Sequence, residues 1–384
     1  MLAKILKNRL KDLKELVVIH LVNEGLFGGV LRVALSESHY LNELGFRSCV
    51  ISLYNIQLPQ GVLERYYKAK LTYLKGNPLP PQLQNFINPF LRELLGKYLT
   101  KIKFSWKNIN YVVLHNLNTL PLARYIKHVT GSKIVLYVHN PTEPPSFKKL
   151  IKSITKMRKS EEGLRDLVSD IDVFVTSSHK MRDYVRRVFG VDAYVVPPGC
   201  DPAQNIVHDK MRYVLVPQRL SVGKRVHVVA RLLSRCRSSF LTVFAGSTHH
   251  TTARVLRRIR KSGLRYYLVV ANPDEEELAW LYRHALCSVS IVSEPFGMYI
   301  LEAASQGTAV IAPRDAGASE LFTHMVHGLF FKHEEELPEY VDYLVSHPEL
   351  AKKMGFEAWK LCREKYTWYH HVKRLVKVLL NQIS

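Results

Sequence analysis

Short, mostly apolar runs recur along the chain, separated by stretches in which apolar residues return every three or four positions. In the N-terminal half the runs at 16–22, 47–53, 111–115, 133–139, 173–177 and 193–196 predict strands buried on both faces. Between them the spacing predicts helices over 30–44, 120–128 and 180–189. The alternation restarts at 213–217, with strands at 240–245, 267–271, 288–292 and 308–312 and helices at 252–261, from Asp274 onward, and from Gly297 to Gly307. Gly45 and Gly307 stand where helices need a C-terminal glycine, and Asp274 with Glu277 makes a capping box. Strand, helix, strand repeated in this way predicts an α/β chain with parallel, doubly wound sheets. The turn Pro197-Pro198-Gly199 separates two such series. The expected domains are 1–197, 198–367 and a last helix, 368–384, that crosses back to the first domain.

Two stretches break the rhythm. Residues 56–105 are irregular, with a proline cluster from 78 to 89 and a short amphipathic segment at 91–99, and suggest an acceptor-binding region. Residues 1–15 interleave leucines with lysines, the pattern of a helix lying on an anionic surface or packed on its own domain.

Length and charge narrow the class. A chain of 384 residues suits two cores, and no apolar run is long enough to span a bilayer. The N-terminus lacks the continuous apolar core of a signal peptide, and the five cysteines stand apart with no C-x-x-C pair. These features predict reduced thiols in a cytoplasmic protein, peripheral on a membrane at most. The net charge of +22 permits nucleic acid, an anionic membrane or a polyanionic substrate as partner. Aromatic-interleaved RNA motifs, zinc-finger spacings and helix-turn-helix signals are missing, which disfavours nucleic acid.

Candidate chemistry gathers where strands end. After the run at 288–292 comes Glu294-Pro295-Phe296-Gly297-Met298, and Glu302 follows eight residues after Glu294. The backbone N–H groups of Phe296, Gly297 and Met298 at a helix start form an anion site, and the two carboxylates suit hydroxyl groups. Acidic residues also favour helix N-termini for electrostatic reasons alone. Arg219 and Lys224 follow the strand at 213–217, where two cations would neutralise a diphosphate. In the first domain the loop before the first helix holds Gly25, Gly28 and Gly29, a spacing unlike G-x-G-x-x-G. The second strand ends in Tyr54-Asn55 without the acidic residue a nicotinamide ribose requires, so a dinucleotide-dependent dehydrogenase is disfavoured. Asp170-Ile171-Asp172 spells the D-x-D of some metal sites but precedes its strand, at the wrong edge for a crevice. The basic run 148–159 and the arginines of 252–261 read as solvated faces, the former also as a surface for phosphorylated or lipid-linked acceptors.

Glu294-Pro295-Phe296-Gly297 with Leu301-Glu302-Ala303 resembles the E-x7-E motif of retaining GT-B glycosyltransferases, those of glycosyltransferase family 4 in particular. Further segments agree: Gly28-Gly29, the Arg219-Leu220 to Lys224 element, Gly317-Ala318-Ser319-Glu320, Gly328-Leu329-Phe330-Phe331 and Lys365-Tyr366-Thr367-Trp368. Gln218 replaces the usual glycine before Arg219, and Pro198 and Cys200 depart from the family's linker. The resemblance implies two Rossmann-like domains facing across a cleft and a metal-independent, retaining transfer from a nucleotide-sugar donor to a glycan, lipid-linked or other acceptor. It implies that Glu302 holds the ribose, Glu294 the donor sugar, and His139 the sugar and phosphate. Gly28 and Gly29 would approach the phosphate, and Gly246 and Asn272 would lie beside the nucleotide. No cofactor is expected. The alternatives are another GT-B enzyme, an epimerase or phosphorylase, or a basic binding protein on the same fold.

Overall fold

The structure is a computed structural model that describes residues 16–22, 28–52, 58, 62–73, 109–141 and 168–381. The amphipathic stretch 1–15, the proline cluster at 78–89, the 91–99 segment, Gly25 and the basic run 148–159 lie outside them. The chain divides into two compact units, Met1–Val196 with His371–Ser384, and Pro197–His370.

The first unit runs β1 (Val17–Val22), α1 (Gly29–Glu43), β2 (Arg47–Ser52), α2 (Val62–Arg65), β3 (Lys70–Tyr73), β4 (Tyr111–His115), α3 (Ala123–Thr130), β5 (Lys133–Val138), β6 (Val173–Thr176), α4 (His179–Phe189) and β7 (Tyr194–Val195). Its sheet is parallel throughout, in the order β3-β2-β1-β4-β5-β6-β7. The apolar strands are apolar because helices cover both faces: Val17, Ile19 and Leu21 join one core, Val22 and Val50 another with Leu31 and Leu35 of α1.

The second unit runs β8 (Met211–Pro217), α5 (Val226–Leu233), β9 (Leu241–Gly246), α6 (Thr252–Arg260), β10 (Tyr267–Ala271), α7 (Glu275–His284), β11 (Ala285–Val289), α8 (Met298–Ser305), β12 (Ala309–Pro313), β13 (Gly328–Phe331), α9 (Leu337–Ser346) and α10 (Pro348–Lys365). Its parallel sheet has the order β10-β9-β8-β11-β12-β13. The final helix, α11 (Trp368–Leu380), begins in the second unit and continues into the first. There Tyr111 Oη donates to the carbonyl of Leu379 at 2.5 Å.

Three local expectations are corrected. The strand expected at 288–292 occupies Ala285–Val289, because Cys287 pairs with both Val214 and Ala309 while the apolar run simply continues into a loop. The helix expected at 120–128 is a 3-10 turn, Leu117–Leu122, followed by α3 and closed by left-handed Gly131. Pro121 lies in that turn, where its missing N–H disturbs a regular start. Within the stretch read as irregular, α2 and the edge strand β3 complete the first sheet. The capping box is present: Asp274 accepts from the Glu277 amide at 2.7 Å, and Glu277 from the Asp274 amide at 2.9 Å.

Candidate functional site

In both sheets the strand order reverses once, between β1 and β4 and between β8 and β11. Ligand crevices in open α/β sheets form at that reversal, beyond the carboxyl ends of the strands. All strands here are parallel, so these ends lie along one edge of each sheet. The residues expected to contact the donor lie at or after such an end or near the start of the next helix, with Glu302 one turn inside α8.

In the second unit, β8 delivers Gln218 and Arg219, and β11 delivers the loop that leads to Gly297. Gln218 is buried and donates from Nε2 to Ser290 Oγ at 3.2 Å, which ties the two sides of the reversal together. A glycine there could not make this bond. Gly246 closes β9 against the same point: a Cβ on it would sit 2.2 Å from the Gln218 carbonyl oxygen. Asn272, at φ 54, follows β10 and accepts from the Thr248 amide at 2.7 Å, so its side chain braces the end of β9. Arg219 is exposed; its carbonyl accepts from the Ser221 amide at 2.6 Å, while its side chain makes no hydrogen bond or ion pair among the described residues.

The loop from Ser290 to Gly297 is held from several directions. Gly317 and Ala318 donate their amides to the carbonyls of Glu294 and Phe296 at 3.1 and 2.6 Å, and Tyr299 Oη donates to the Val292 carbonyl at 3.2 Å. Phe296 is buried as the anchor of this loop. Gly297 is left-handed, at φ 94 and ψ 67, a conformation glycine adopts without the steric cost of a Cβ. It caps α8 with no side-chain acceptor and no acidic residue in the first turn. The amides that open this helix therefore retain the positive end of its dipole for another anion.

Lys224 and Glu294 meet: Nζ lies 2.6 Å from Oε1, with the side chains 33% and 20% exposed. The two groups are held as a half-buried ion pair next to the helix start. Glu302 lies on the next turn of α8, where Tyr282 Oη donates to its Oε2 at 3.1 Å. Tyr282 was not anticipated; it is an aromatic in an amphipathic helix, indistinguishable by pattern from a core residue.

In the first unit, Gly28 caps α1 in an extended conformation, again without a side-chain acceptor. Gly29 has no positive φ, and a Cβ there would meet nothing within 4 Å. The fold therefore does not demand glycine at Gly29, and what the residue contributes is open space over the helix N-terminus. His139 follows β5, buried, with its ring stacked on Tyr137 at 4.0 Å between centroids. Its Nε2 lies 2.9 Å from His115 Nδ1. Burial holds the His139 pKa well below the usual histidine range, so its imidazole is neutral.

Behind His139 lies a polar cluster that sequence reasoning missed. His20 of β1, Glu37 of α1, His115 of β4 and His371 of α11 are all fully buried. His371 Nε2 lies 2.8 Å from Glu37 Oε1, and Glu37 Oε2 is 3.0 Å from His20 Nδ1 and 3.4 Å from His115 Nε2. Burial by itself would raise the Glu37 pKa, yet His115, His20 and His371 hold it well below the carboxylate range. The one signal in the sequence was a histidine inside the otherwise apolar run of β1.

The D-x-D pair is structural. Asp170 binds Arg124 and Asp172 binds Lys127, each at 2.8 Å, and Asp172 also accepts from the Ile134 amide at 2.8 Å, at the amino end of β6. The five cysteines carry free thiols, and no helix among the described residues is long and apolar enough to cross a membrane.

Two family models match this chain: Glycosyltransferase Family 4 over residues 27–204 and Glycosyl transferases group 1 over residues 201–360. It is 27% identical over 207 residues to a probable sucrose-phosphate synthase of Thermosipho melanesiensis, covering 50% of this chain and 47% of that protein. It is 26% identical over 180 residues to an uncharacterised glycosyltransferase of Methanocaldococcus jannaschii, 45% of each. The chain thus spans about half the length of the curated relatives it matches. Among solved structures, sucrose-phosphate synthase from Thermosynechococcus elongatus superposes with a TM-score of 0.75 at 16% identity, covering 96% of this chain and 99% of that one. Anabaena HepE in complex with UDP and glucose gives 0.73 at 14%, covering 95% and 100%. These likenesses establish the fold. The chain thus has the GT-B fold, and its two halves each match a glycosyltransferase family model.

Proposed function

We propose that this protein transfers a sugar from a nucleotide-sugar donor, with retention of anomeric configuration and without a metal at the transfer step. The observation that carries this reading is the unfilled N-terminus of α8 at left-handed Gly297, with the Lys224–Glu294 pair beside it and Glu302 one turn inside. The leaving diphosphate is the group whose charge grows during transfer. Preorganised amides at Gly297 and Met298 with the cations of Lys224 and Arg219 would stabilise it without reorganisation. In this reading the Lys224–Glu294 pair opens on binding: the ammonium turns to phosphate and the carboxylate to the sugar hydroxyls. Glu302, oriented by Tyr282, takes the ribose hydroxyls, while Gly246 and Asn272 leave room for the base. His139 and the Gly28 and Gly29 amides serve the sugar and phosphate from the first unit, and neutral His139 can donate a hydrogen bond without adding charge.

Retention has two chemical routes. A double displacement needs a carboxylate nucleophile below the anomeric carbon, and the charged groups placed here already have other roles; the reading therefore favours front-face transfer. The bound UDP in the similar Anabaena protein supports a uridine donor as the first to test. The acceptor is proposed as a glycan or lipid-linked hydroxyl, and the +22 charge favours work at an anionic membrane surface.

The test is thermal denaturation of wild type and Glu302→Ala with UDP, GDP and ADP, in magnesium or in chelator. A shift with one nucleotide that survives chelation and vanishes in the variant supports both donor class and ribose role. No shift with any nucleotide at millimolar concentration overturns the reading.

A further inference from the structure

We infer that His20, Glu37 and His115 form a buried site for a divalent transition ion of the zinc class. His20 Nδ1, His115 Nε2 and Glu37 Oε2 stand 3.1, 3.4 and 3.0 Å from one another around a triangle. The centre of that triangle is about 1.8 Å from each corner, so an ion about 1 Å out of its plane reaches all three at roughly 2.1 Å, the length of zinc–nitrogen and zinc–oxygen bonds. The three residues offer ligand atoms from three different elements, and all are buried.

Protons alone do not explain the arrangement. One N–H can bridge the two imidazoles, but it and the lone pair that accepts it are then spent between the rings, and no N–H of the pair is left for the carboxylate oxygen. Two N–H groups pointing at Oε2 would instead face each other across 3.1 Å. Glu37 Oε2 in fact has no aligned hydrogen-bond partner among the described residues, although its other oxygen is bonded by His371. A cation at the centre turns all three contacts favourable at once. It also neutralises a carboxylate that no lysine or arginine reaches among the described residues.

The surroundings suit a ligand set. Metal-bound histidines usually engage their second ring nitrogen, and bound carboxylates their second oxygen. His115 does so through Nδ1 with His139, and Glu37 through Oε1 with His371. Two imidazoles and one carboxylate favour zinc and its neighbours over magnesium or calcium, which take oxygen donors. The fourth corner is left to a solvent molecule. The site stands apart from the transfer chemistry proposed above and does not depend on it. The ion would lock β1, α1 and β4 together behind His139.

The experiment uses the full chain, purified without added metal, with metal content read by mass spectrometry. Zinc near one equivalent per chain is expected. Removal by a strong chelator should lower the melting temperature, and added zinc should restore it. Cobalt added to the stripped protein should give the visible absorption of a low-coordinate, histidine-bound ion. His20→Phe should lose both the zinc and the cobalt spectrum, while His249→Ala, at a half-buried loop histidine of the second unit, should keep them. Substoichiometric zinc with no cobalt spectrum in wild type, a measurement that needs no variant, overturns the site. So does a spectrum that persists in His20→Phe or disappears in His249→Ala.

Discussion

At the scale of single residues, two side-chain charges make opposite predictions. Lys224 and Glu294 form a close pair, but both are partly exposed, so their coupling in a double-mutant cycle should be only about 0.5–1 kcal/mol in stability. If Lys224 faces the leaving diphosphate as proposed, Lys224→Met should nevertheless lower the transfer rate roughly 100-fold or more, by removing a cation from developing charge. Steady-state kinetics beside urea denaturation separates the two effects; a variant that loses stability and rate in proportion sinks the functional assignment. Lys210 is the converse case. Its ammonium is mostly buried, donating to the Arg283 carbonyl at 2.7 Å, and burial pushes its pKa down to about 8. The unfolded chain therefore binds more protons than the folded one between about pH 8 and the unfolded value near 10.5. Stability should rise with pH through that window, by up to about 3 kcal/mol from this group. Lys210→Met should flatten the rise, as a pH series of melting curves would show.

At the scale of elements, glycines separate fold from site. Gly246 sits where a Cβ would meet the backbone of Gln218, so Gly246→Ala must part the ends of β8 and β9, costing about 2 kcal/mol or more. Gly29→Ala meets open space in a helical first turn, and should leave the melting temperature unchanged or raise it slightly. If the α1 N-terminus approaches the donor phosphate, the same methyl weakens nucleotide affinity. Unchanged affinity in a stable Gly29→Ala protein would remove that turn from the site. Helix and strand positions were readable because the period of burial follows local geometry, 3.6 or continuous. Boundaries failed where apolarity ran past the last sheet partner, as at Ser290-Ile291-Val292, or where a proline distorted the first turn, as before α3. The edge strand β3 escaped notice because an edge needs apolar residues on only part of its length.

At the scale of the whole molecule, α11 is shared between two units that each have their own core. Ending the chain after His370 would remove His371 from Glu37 and the Leu379 carbonyl from Tyr111. Calorimetry of that truncation should show the transition of the first unit shifted down by several degrees, with that of the second little changed. Equal shifts would mean that the units unfold as one. The sequence by itself determined the α/β class, the parallel sheets, the break near residue 197 and the placing of candidate residues such as Arg219, Asn272 and His139 just beyond strand ends. Those features follow from local periodicity and from chemistry that must sit where strands end. The Lys224–Glu294 pair, the Tyr282 bond to Glu302 and the triangle of His20, Glu37 and His115 were decided only by tertiary structure. Each joins residues distant in sequence, and nothing in a buried strand's pattern says which polar side chain the next helix will bring against it.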